Sequence, residues 1–524
     1  MSEVFNKVLP LFFDPCSHDF SRSGINLDFH SGGSAVLFAD LDIILADEAE
    51  LHAIYGCKGS SGLKPCLCCL NVYDAKTTRG IVEADRTGSC VYHTCSDPKR
   101  FKFATTEVIA AILRRLQGAA ARSNTELEHL QTELGWKYVP AGIMYDPISR
   151  VRCCPSRVAC FDWMHIIFVN GIFNANAGLM LHALRRLGIR MDTVRGYVEL
   201  YSWPHVVAAG ASPRDTFSTT RLHNSLAAKT LKCSASDGMS LVPVLAQFVE
   251  TLKDHRNLEI RAHARCFLKF ALVAGCLMHC TRGLMDRRVL MDRASDFVAE
   301  FRRLYGEAAV FPKFHYLLHL AFYKWKRLPS CWVHERKHKI VKRYADAVFN
   351  TRSSKDSLDW DASVLMDVTA QHIENLISTV YFEFSDDPCL YDGGKAPSRT
   401  LLPVIQAAIG AYPAEALRTA KVARVSKYEK VCVGDVVVVG ITDPPSVIGE
   451  VVLHIAVTDG GVTQHITLLN VFAITSTALR HWKCKVTASQ RLVFTQDIDC
   501  AAVVAGTVVK TVLKPLHATR CPDI

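Results

Sequence analysis

The chain has 524 residues, of which 49% are hydrophobic and 21% are charged, and its formal net charge is +10. This length exceeds what one compact core accommodates, so we expect two to four domains, and the composition excludes a largely disordered or collagen-like chain. The moderate positive charge is compatible with a nucleic-acid partner but does not by itself indicate one.

The cysteine content and the apolar stretches favour a reducing, non-membrane setting. The chain has 20 cysteines, and residues 1–13 lack the basic start, long apolar centre and small-residue cleavage site of a secretory signal. We therefore expect thiols in cores or metal sites rather than disulfides. The most apolar stretch, 266–280, is only fifteen residues long and contains Lys269, which predicts a buried helix rather than a membrane span.

The first predicted element is a buried strand over 34–46, which leads directly into Asp47. The Gly-, Ser- and Lys-rich segment that follows predicts a loop or hairpin. It leads to the pair Cys66-x-x-Cys69, nineteen residues after Asp47. These segments form a predicted first domain over 1–100.

From 101 to 310 the pattern is mostly helical and predicts a large helical insertion. Apolar residues at helical spacing over 105–121 follow a threonine cap, and Ser123 with Glu126 predicts a capping box. The remaining helical stretches are predicted near 161–188, 241–255, 258–283 and 291–306.

Residues 311–385 are predicted to be a helical segment in which the chain returns from the insertion to the first domain. This segment carries further candidate metal ligands and basic residues. His315 and His319 lie one turn apart on one helix face. A second helix over 332–350 carries Glu335, sixteen residues after His319. Eight basic residues cluster within this region: Lys324, Lys326, Arg327, Arg336, Lys337, Lys339, Lys342 and Arg343.

The last part of the chain changes character. A cluster of Asp, Gly and Pro residues predicts a linker over 386–424. Five short β-branched runs separated by turns follow, and they predict a small antiparallel β-barrel over 425–524.

The two ligand pairs predict one shared zinc site. Zinc prefers four tetrahedral sulfur or nitrogen ligands, which Cys66, Cys69, His315 and His319 supply together. Taken singly, each pair has a purely structural interpretation, as a reduced cysteine cluster or as two packed helix histidines. Cys68 could replace Cys66 as a ligand.

Two acids flank the ligand pairs and suit a different metal. Oxygen ligands suit hard cations, so Asp47 and Glu335 are candidates for binding Mg²⁺ or Mn²⁺ at a phosphodiester. The structural alternatives are a helix N-cap for Asp47 and a surface ion pair with Lys339 for Glu335. The basic residues around Glu335 would contact DNA phosphates or form a solvated face.

Two further groups are weaker candidates. Asp162 and His165 share a helix face, and His165 could reach DNA or a metal-bound water, although a cap and a packed histidine explain the pair equally well. Cys90, His93 and Cys95 have the spacing of a metal half-site that lacks a fourth ligand.

The order Asp, Cys-x-x-Cys, Asp-x-Met-His, His-x-x-x-His, Glu resembles the transposases of the CACTA (En/Spm) superfamily. It is also similar to the related Transib transposases and to the vertebrate recombination-activating recombinase. The resemblance rests on the blocks DEAELHAIYGCKGSSGLKPCLCC, DWMHIIFVNGIFN, HYLLHL and HERKHKIVKRY, which are scattered over about 30–350.

The resemblance implies an RNase H-like core that is interrupted by a helical insertion. It implies that Asp47 is the second catalytic acid and Glu335 the third, with structural zinc on Cys66, Cys69 and the two histidines. The C-terminal barrel is similar to SH3-like or BAH-like modules. The fold class we expect is therefore α+β and multidomain, and the partner is DNA, in the nucleus.

The chain departs from the family pattern at the first acid. Only 46 residues precede Asp47, and Asp14, Asp19 and Asp28 are the candidates for this position. We therefore expect a partial, N-terminally truncated core whose strand cleavage and transfer are impaired. A zinc-stabilised protein that binds DNA, chromatin or another protein without catalysis is the alternative, and a homodimer stays open. No small-molecule substrate is expected.

Overall fold

The computed structural model describes residues 1–14, 19–28, 33–74, 90–208, 213–331, 388–426, 429–440, 444–478 and 480–514. The α-helices of these residues are Ser2–Phe13 (α1), Glu48–Tyr55 (α2), Thr106–Ala120 (α3), Asn124–Leu134 (α4), Pro147–Arg152 (α5), Pro155–Val158 (α6), Trp163–Phe168 (α7), Ile172–Arg186 (α8), Met191–Glu199 (α9), His205–Ala208 (α10), Thr219–Ala228 (α11), Ala235–Glu250 (α12), Leu258–Arg282 (α13), Arg287–Tyr305 (α14), Pro312–Leu320 (α15) and Leu402–Ile409 (α16).

The strands are Ile25–Asp28 (β1), Ser34–Leu37 (β2), Ile44–Ala46 (β3), Val72–Tyr73 (β4), Cys90–Val91 (β5), Ala159–Phe161 (β6), Tyr201–Ser202 (β7), Cys389–Leu390 (β8), Leu417–Ala420 (β9), Val422–Ser426 (β10), Glu429–Cys432 (β11), Val436–Val439 (β12), Val447–Asp459 (β13), Val462–Thr477 (β14), His481–Phe494 (β15), Ile498–Ala502 (β16), Val504–Ala505 (β17) and Val509–Leu513 (β18). The chain thus combines helices with a C-terminal antiparallel sheet, as the sequence predicted.

The chain divides into two compact units, each made of separate segments. The first unit consists of Met1–Met180, Lys229–Leu231 and Ala262–Cys331. The second consists of Leu181–Ala228, Lys232–Arg261 and the described part of Trp332–Ile524. The predicted helical insertion over 101–310 therefore contributes to both units.

The first unit contains a short parallel strand pair, β3 with β6, in the register Ile44↔Ala159 to Ala46↔Phe161. Helix α15 packs on β6 and α7, and the ring of Phe161 stacks on Tyr316 at 4.4 Å between centroids. The RNase H-like core stays a prediction, because the parallel sheets in the described part of this unit have only two strands each.

The helical stretch predicted over 161–188 is two helices, α7 and α8, rather than one. Asn170 adopts a positive φ of 45° between them. A Cβ at Gly171 would lie 2.3 Å from the carbonyl oxygen of Ile166, so only glycine allows this close return of the backbone. The segments Trp163–Arg186 and Leu258–Arg282 are apolar enough to cross a bilayer, but most of the most apolar part of each is buried within the protein.

The second unit contains a nine-stranded sheet. Its order is β16-β12-β13-β14-β15-β18-β17-β7, and β9 also pairs with β13. Strand β12 is buried on both faces: Val436 and Val438 join one apolar cluster, while Val437 and Val439 join another. This burial explains why the strand is a continuous run of valines.

The sheet differs from the barrel predicted over 425–524. Strands β13, β14 and β15 have 13, 16 and 14 residues, so three of the predicted short runs are parts of long strands. Strands β8 and β9, the first half of β10 and helix α16 lie in the predicted linker, and β7 comes from the predicted helical block. Among the described residues no pairing joins the end strands β16 and β7, so the hydrogen-bonded order is open rather than closed.

Candidate metal centre

The four predicted zinc ligands meet in the first unit. Nε2 of His319 lies 3.3 Å from the Cys66 sulfur, 3.0 Å from the Cys69 sulfur and 3.0 Å from Nε2 of His315. All four ligand atoms lie within 4.8 Å of one another, and all four residues are buried. Ligand atoms of a tetrahedral zinc site lie roughly 3.3–3.8 Å apart, so a small inward or outward adjustment suffices for binding.

The local structure explains why these side chains converge. Both histidines project from α15, whose residues from Phe314 to Leu320 are buried. The Tyr316 hydroxyl donates to the Pro65 carbonyl at 2.8 Å, and a ring nitrogen of His52 lies 3.0 Å from the same oxygen. These contacts hold the Cys66 turn against the helix that carries the histidines.

Cys66 and the adjacent Cys68 differ in the pKa of their thiols and in their contacts. Burial raises the pKa of Cys66, but hydrogen bonds from Cys68 and Cys69 and the nearby His319 outweigh it and hold that pKa well below its usual value. The hydrogen bond to Cys66 and burial raise the pKa of Cys68 well above its usual value, and the Cys68 thiol donates to the Pro155 carbonyl. The Cys68 sulfur faces the Pro155 carbonyl and does not belong to the group of four ligand atoms, so the alternative in which Cys68 replaces Cys66 is disfavoured.

The side chains around the four ligands favour a structural metal site that is closed to water. Burial lowers the pKa of His315, so its imidazole is neutral, as a metal ligand must be. Burial also raises the pKa of Cys57 well above its usual value, which keeps that neighbouring thiol protonated. The ring of Phe101 covers both histidines, with centroids 4.5 Å from His315 and 5.6 Å from His319. The residues present therefore suit a structural zinc ion, with two sulfur and two nitrogen ligands and no open position.

Two acids lie at the carboxyl ends of the parallel strands β3 and β6. Asp47 follows β3 and caps α2, where its Oδ1 accepts from the Glu50 amide at 2.8 Å. Asp162 follows β6, and its amide donates to the Ala46 carbonyl. The Asp162 side chain also accepts from the amides of Met164 and His165 and so caps α7. The cap predicted as the structural alternative is therefore present at both acids.

Asp162 is fully engaged with its neighbours. Its Oδ2 lies 2.5 Å from Nδ1 of His165, and its Oδ1 accepts from the Cys331 amide at 3.0 Å. The side chain is completely buried, whereas that of His165 is 16% exposed. The pair predicted on one helix face is thus in contact, and the carboxylate orients the imidazole.

Sequence reasoning missed two residues at this edge, Glu48 and Lys313. The Lys313 ammonium donates to the carbonyls of His165 and Val169 and lies 3.9 Å from Glu48 Oε1. Burial raises the pKa of Glu48 and lowers that of Lys313. Glu48 directly follows a candidate acid, but nothing in the spacing indicates that Lys313 reaches it.

The predicted basic cluster and Glu335 fall only partly within the part of the chain that the structure describes. Glu335 and the basic residues Arg336, Lys337, Lys339, Lys342 and Arg343 lie outside the described residues. The remaining three, Lys324, Lys326 and Arg327, are exposed in the first unit.

The structure also describes the three candidates for the first acid and the histidine of the half-site. Asp19 is buried and accepts from Arg152 at 3.1 Å, which gives it an ion pair rather than an open carboxylate. Asp14 follows the last residue of α1, and Asp28 is the last residue of β1. His93 has one ring nitrogen 3.2 Å from the Glu307 carbonyl and the other 3.3 Å from Asp74, so the half-site predicted around Cys90 and Cys95 has no free imidazole nitrogen.

No family model, curated protein or solved structure matches the chain. The function must therefore be inferred from the geometry of the site and from the sequence.

Proposed function

We propose that the chain is a transposase-derived DNA-binding protein with a zinc-stapled core. The observation that carries this proposal is the convergence of Cys66, Cys69, His315 and His319 within 4.8 Å, across about 250 residues of sequence. These ligands make up two of the five parts of the ordered set that resembles CACTA-type transposases. Asp47, a third part, directly follows strand β3 of the same unit.

The zinc ion would have a structural role. It would hold the turn of Cys66 and Cys69 against α15, and its four protein ligands leave no position for water or substrate. The chain's own residues exclude solvent from the centre, because all four ligands are buried beside Phe101 and Tyr316. The bound zinc would therefore fix the distance between the carboxyl end of β3, where Asp47 lies, and the segment that follows α15.

The ancestral chemistry in this proposal is metal-dependent cleavage and transfer of DNA strands. A Mg²⁺ or Mn²⁺ ion bound by Asp47 and Glu335 would activate the attacking oxygen. Lys324, Lys326 and Arg327 are exposed and would contact phosphates together with the basic residues near Glu335. The RNase H-like core and the SH3- or BAH-like identity of the C-terminal sheet belong to the same proposal, as does a nuclear location.

A specific observation favours a non-catalytic variant of this function. The carboxylate of Asp162, which follows the paired strand β6, already contacts the His165 ring and accepts from the Cys331 amide. The second candidate function is therefore DNA or chromatin binding, or protein interaction, without strand cleavage.

The first experiment is a nicking assay on supercoiled DNA with Mg²⁺ or Mn²⁺. Asp47→Asn is the test variant, since asparagine still caps a helix but binds cations poorly. Asp459→Asn, at an exposed position of β13, is the matched control. Nicking by the wild type that is lost in Asp47→Asn but retained in Asp459→Asn supports catalysis. If the wild type and both variants show only the nicking seen without protein, the non-catalytic function is supported.

The second experiment measures DNA affinity as a function of salt. A protein that neutralises several phosphates loses affinity steeply as salt rises. Lys324→Gln combined with Lys326→Gln should reduce that slope by about two. No measurable binding at low salt would refute every DNA-binding form of the proposal and leave only protein interaction.

A further inference from the structure

Beside the metal centre, the first unit has a cavity of about 200 Å³ that no predicted role explains. Aromatic rings supply much of its lining: Phe103, Phe161, Phe322, Tyr323 and Trp325. Pockets for drug-sized ligands measure about 300–1,000 Å³. This cavity therefore suits a single planar ring system rather than a larger molecule.

Two rings are available at the open side. Phe103 is 37% exposed, and its ring lies 5.2 Å from that of Phe322 in an edge-to-face arrangement. Exposed aromatic faces are costly in water, and they stack well on nucleobases, since every base has a π-face. The hydroxyl of Ser156 and the thiols of Cys68 and Cys160 add polar groups to the same lining.

The rim of the cavity is cationic. Arg157 and Lys324 both line it and are exposed, and the Lys324 ammonium donates to the Arg157 main-chain carbonyl at 3.1 Å. Within the part of the chain that the structure describes, the Arg157 guanidinium has no hydrogen bond or ion pair. None of the lining residues carries a carboxylate. The charge therefore complements an anion attached to whatever ring enters the cavity.

We propose that this cavity, the aromatic cavity, binds one unpaired nucleobase of a DNA strand, with its phosphate on Arg157 and Lys324. The assignment rests on the proposed DNA-binding function, and it implies that the chain prefers DNA with an unpaired base to a perfect duplex. A paired base is shielded by its neighbours, so only a flipped, bulged or single-stranded base can enter the aromatic cavity and stack on the ring of Phe103 or Phe322.

The test uses the full chain, duplex DNA and the same duplex with one bulged 2-aminopurine. Stacking on aromatic rings quenches the fluorescence of this base. We expect bulged DNA to bind more tightly than the perfect duplex, with the fluorescence quenched in the complex. Phe322→Leu keeps an apolar side chain but removes the ring, and it should weaken binding to bulged DNA about tenfold. It should leave duplex affinity unchanged.

A second variant and a control complete the design. Arg157→Gln should lower the salt slope for bulged DNA by about one. Phe38→Leu, at a residue 59% exposed and outside the cavity lining, should behave as wild type. Zinc content and circular dichroism check that each variant is folded.

The outcomes separate the two proposals. Equal affinity for both DNAs, with no quenching and no effect of Phe322→Leu, overturns the aromatic cavity but leaves DNA binding intact. Absence of binding to either DNA at low salt overturns both.

Discussion

Nε2 of His319 lies 3.0 Å from the sulfur of Cys69, although 250 positions separate the two residues in the chain. This contact joins the turn after α2 to α15 and closes a very long loop, both ends of which lie in the first unit. Closing long loops costs chain entropy, so a metal that holds the contact contributes directly to folding.

Loss of one ligand should therefore remove both the metal and stability. We expect wild type to hold one zinc ion and His319→Ala to hold none. At zinc concentrations about a thousandfold above the dissociation constant, the lost stabilisation is about 4 kcal/mol. Metal analysis and denaturant unfolding measure the two quantities.

The controls for this prediction are neighbouring cysteines. Cys57→Ala and Cys68→Ala should keep the zinc, because neither sulfur belongs to the group of four ligand atoms that lie within 4.8 Å of one another. Zinc that persists in His319→Ala, or that disappears in Cys68→Ala, would contradict the assigned ligand set.

The ligand set could be predicted from the sequence because each half is local. A Cys-x-x-Cys turn and a His-x-x-x-His helix face each fix two ligands by chain geometry alone. The choice between Cys66 and Cys68 could not be made, since it depends on the Pro155 carbonyl that accepts from Cys68. The ion pair of Asp19 with Arg152 could not be predicted either, because the two residues are far apart in the chain and no sequence motif links them.

In the fold too, features set by neighbouring residues could be predicted from the sequence, whereas features set by distant residues could not. Thr105 and Ser123 accept from the backbone amides of Val108 and Glu126, as helix caps predicted from sequence should. The long strands were not predicted as such, because bulges such as the one between Val451 and Leu453 shift the alternation within one strand. The two-residue strand Tyr201–Ser202 is too short for any pattern.

Gly171 should be intolerant of any side chain. An added Cβ would meet the backbone of Ile166 and Ile167 at 2.3–2.6 Å, and the turn between α7 and α8 would have to move. We expect Gly171→Ala to destabilise the protein by about 1–3 kcal/mol. Gly196→Ala is the matched control: nothing lies within 4 Å of its Cβ, and α9 should gain about 0.5–1 kcal/mol. Equal melting temperatures for the two variants would contradict this.

Asp162 should be more sensitive than an ordinary cap. Asp162→Asn replaces one acceptor by an amide donor, which leaves a partner among His165 and Cys331 unsatisfied. The expected loss is about 1–3 kcal/mol in urea unfolding. Asp146→Asn also alters a cap, at the Ser149 amide of α5, but asparagine caps as well as aspartate, so little change is expected. If both variants lose the same stability, the Asp162 network adds nothing beyond capping.

The second unit should lose stability in acid through one buried histidine. His454 is fully buried; one ring nitrogen lies 3.1 Å from the Val431 carbonyl, so it donates, and the other lies 2.9 Å from the Thr467 hydroxyl and accepts. Burial lowers the pKa of His454 from 6.5 to about 4. The unfolded chain therefore binds a proton first as the pH falls through 6.5.

The consequence is a defined pH window. The contribution of neutral His454 is complete above pH 6.5, declines as the pH falls toward 4, and amounts to about 3 kcal/mol. His454→Gln cannot titrate, so unfolding free energies measured by urea at several pH values should show a shallower slope over this window than wild type. His223→Gln, which changes an exposed histidine of α11 in the same unit, serves as the matched control. An unchanged slope in His454→Gln would show that other groups cause the acid sensitivity.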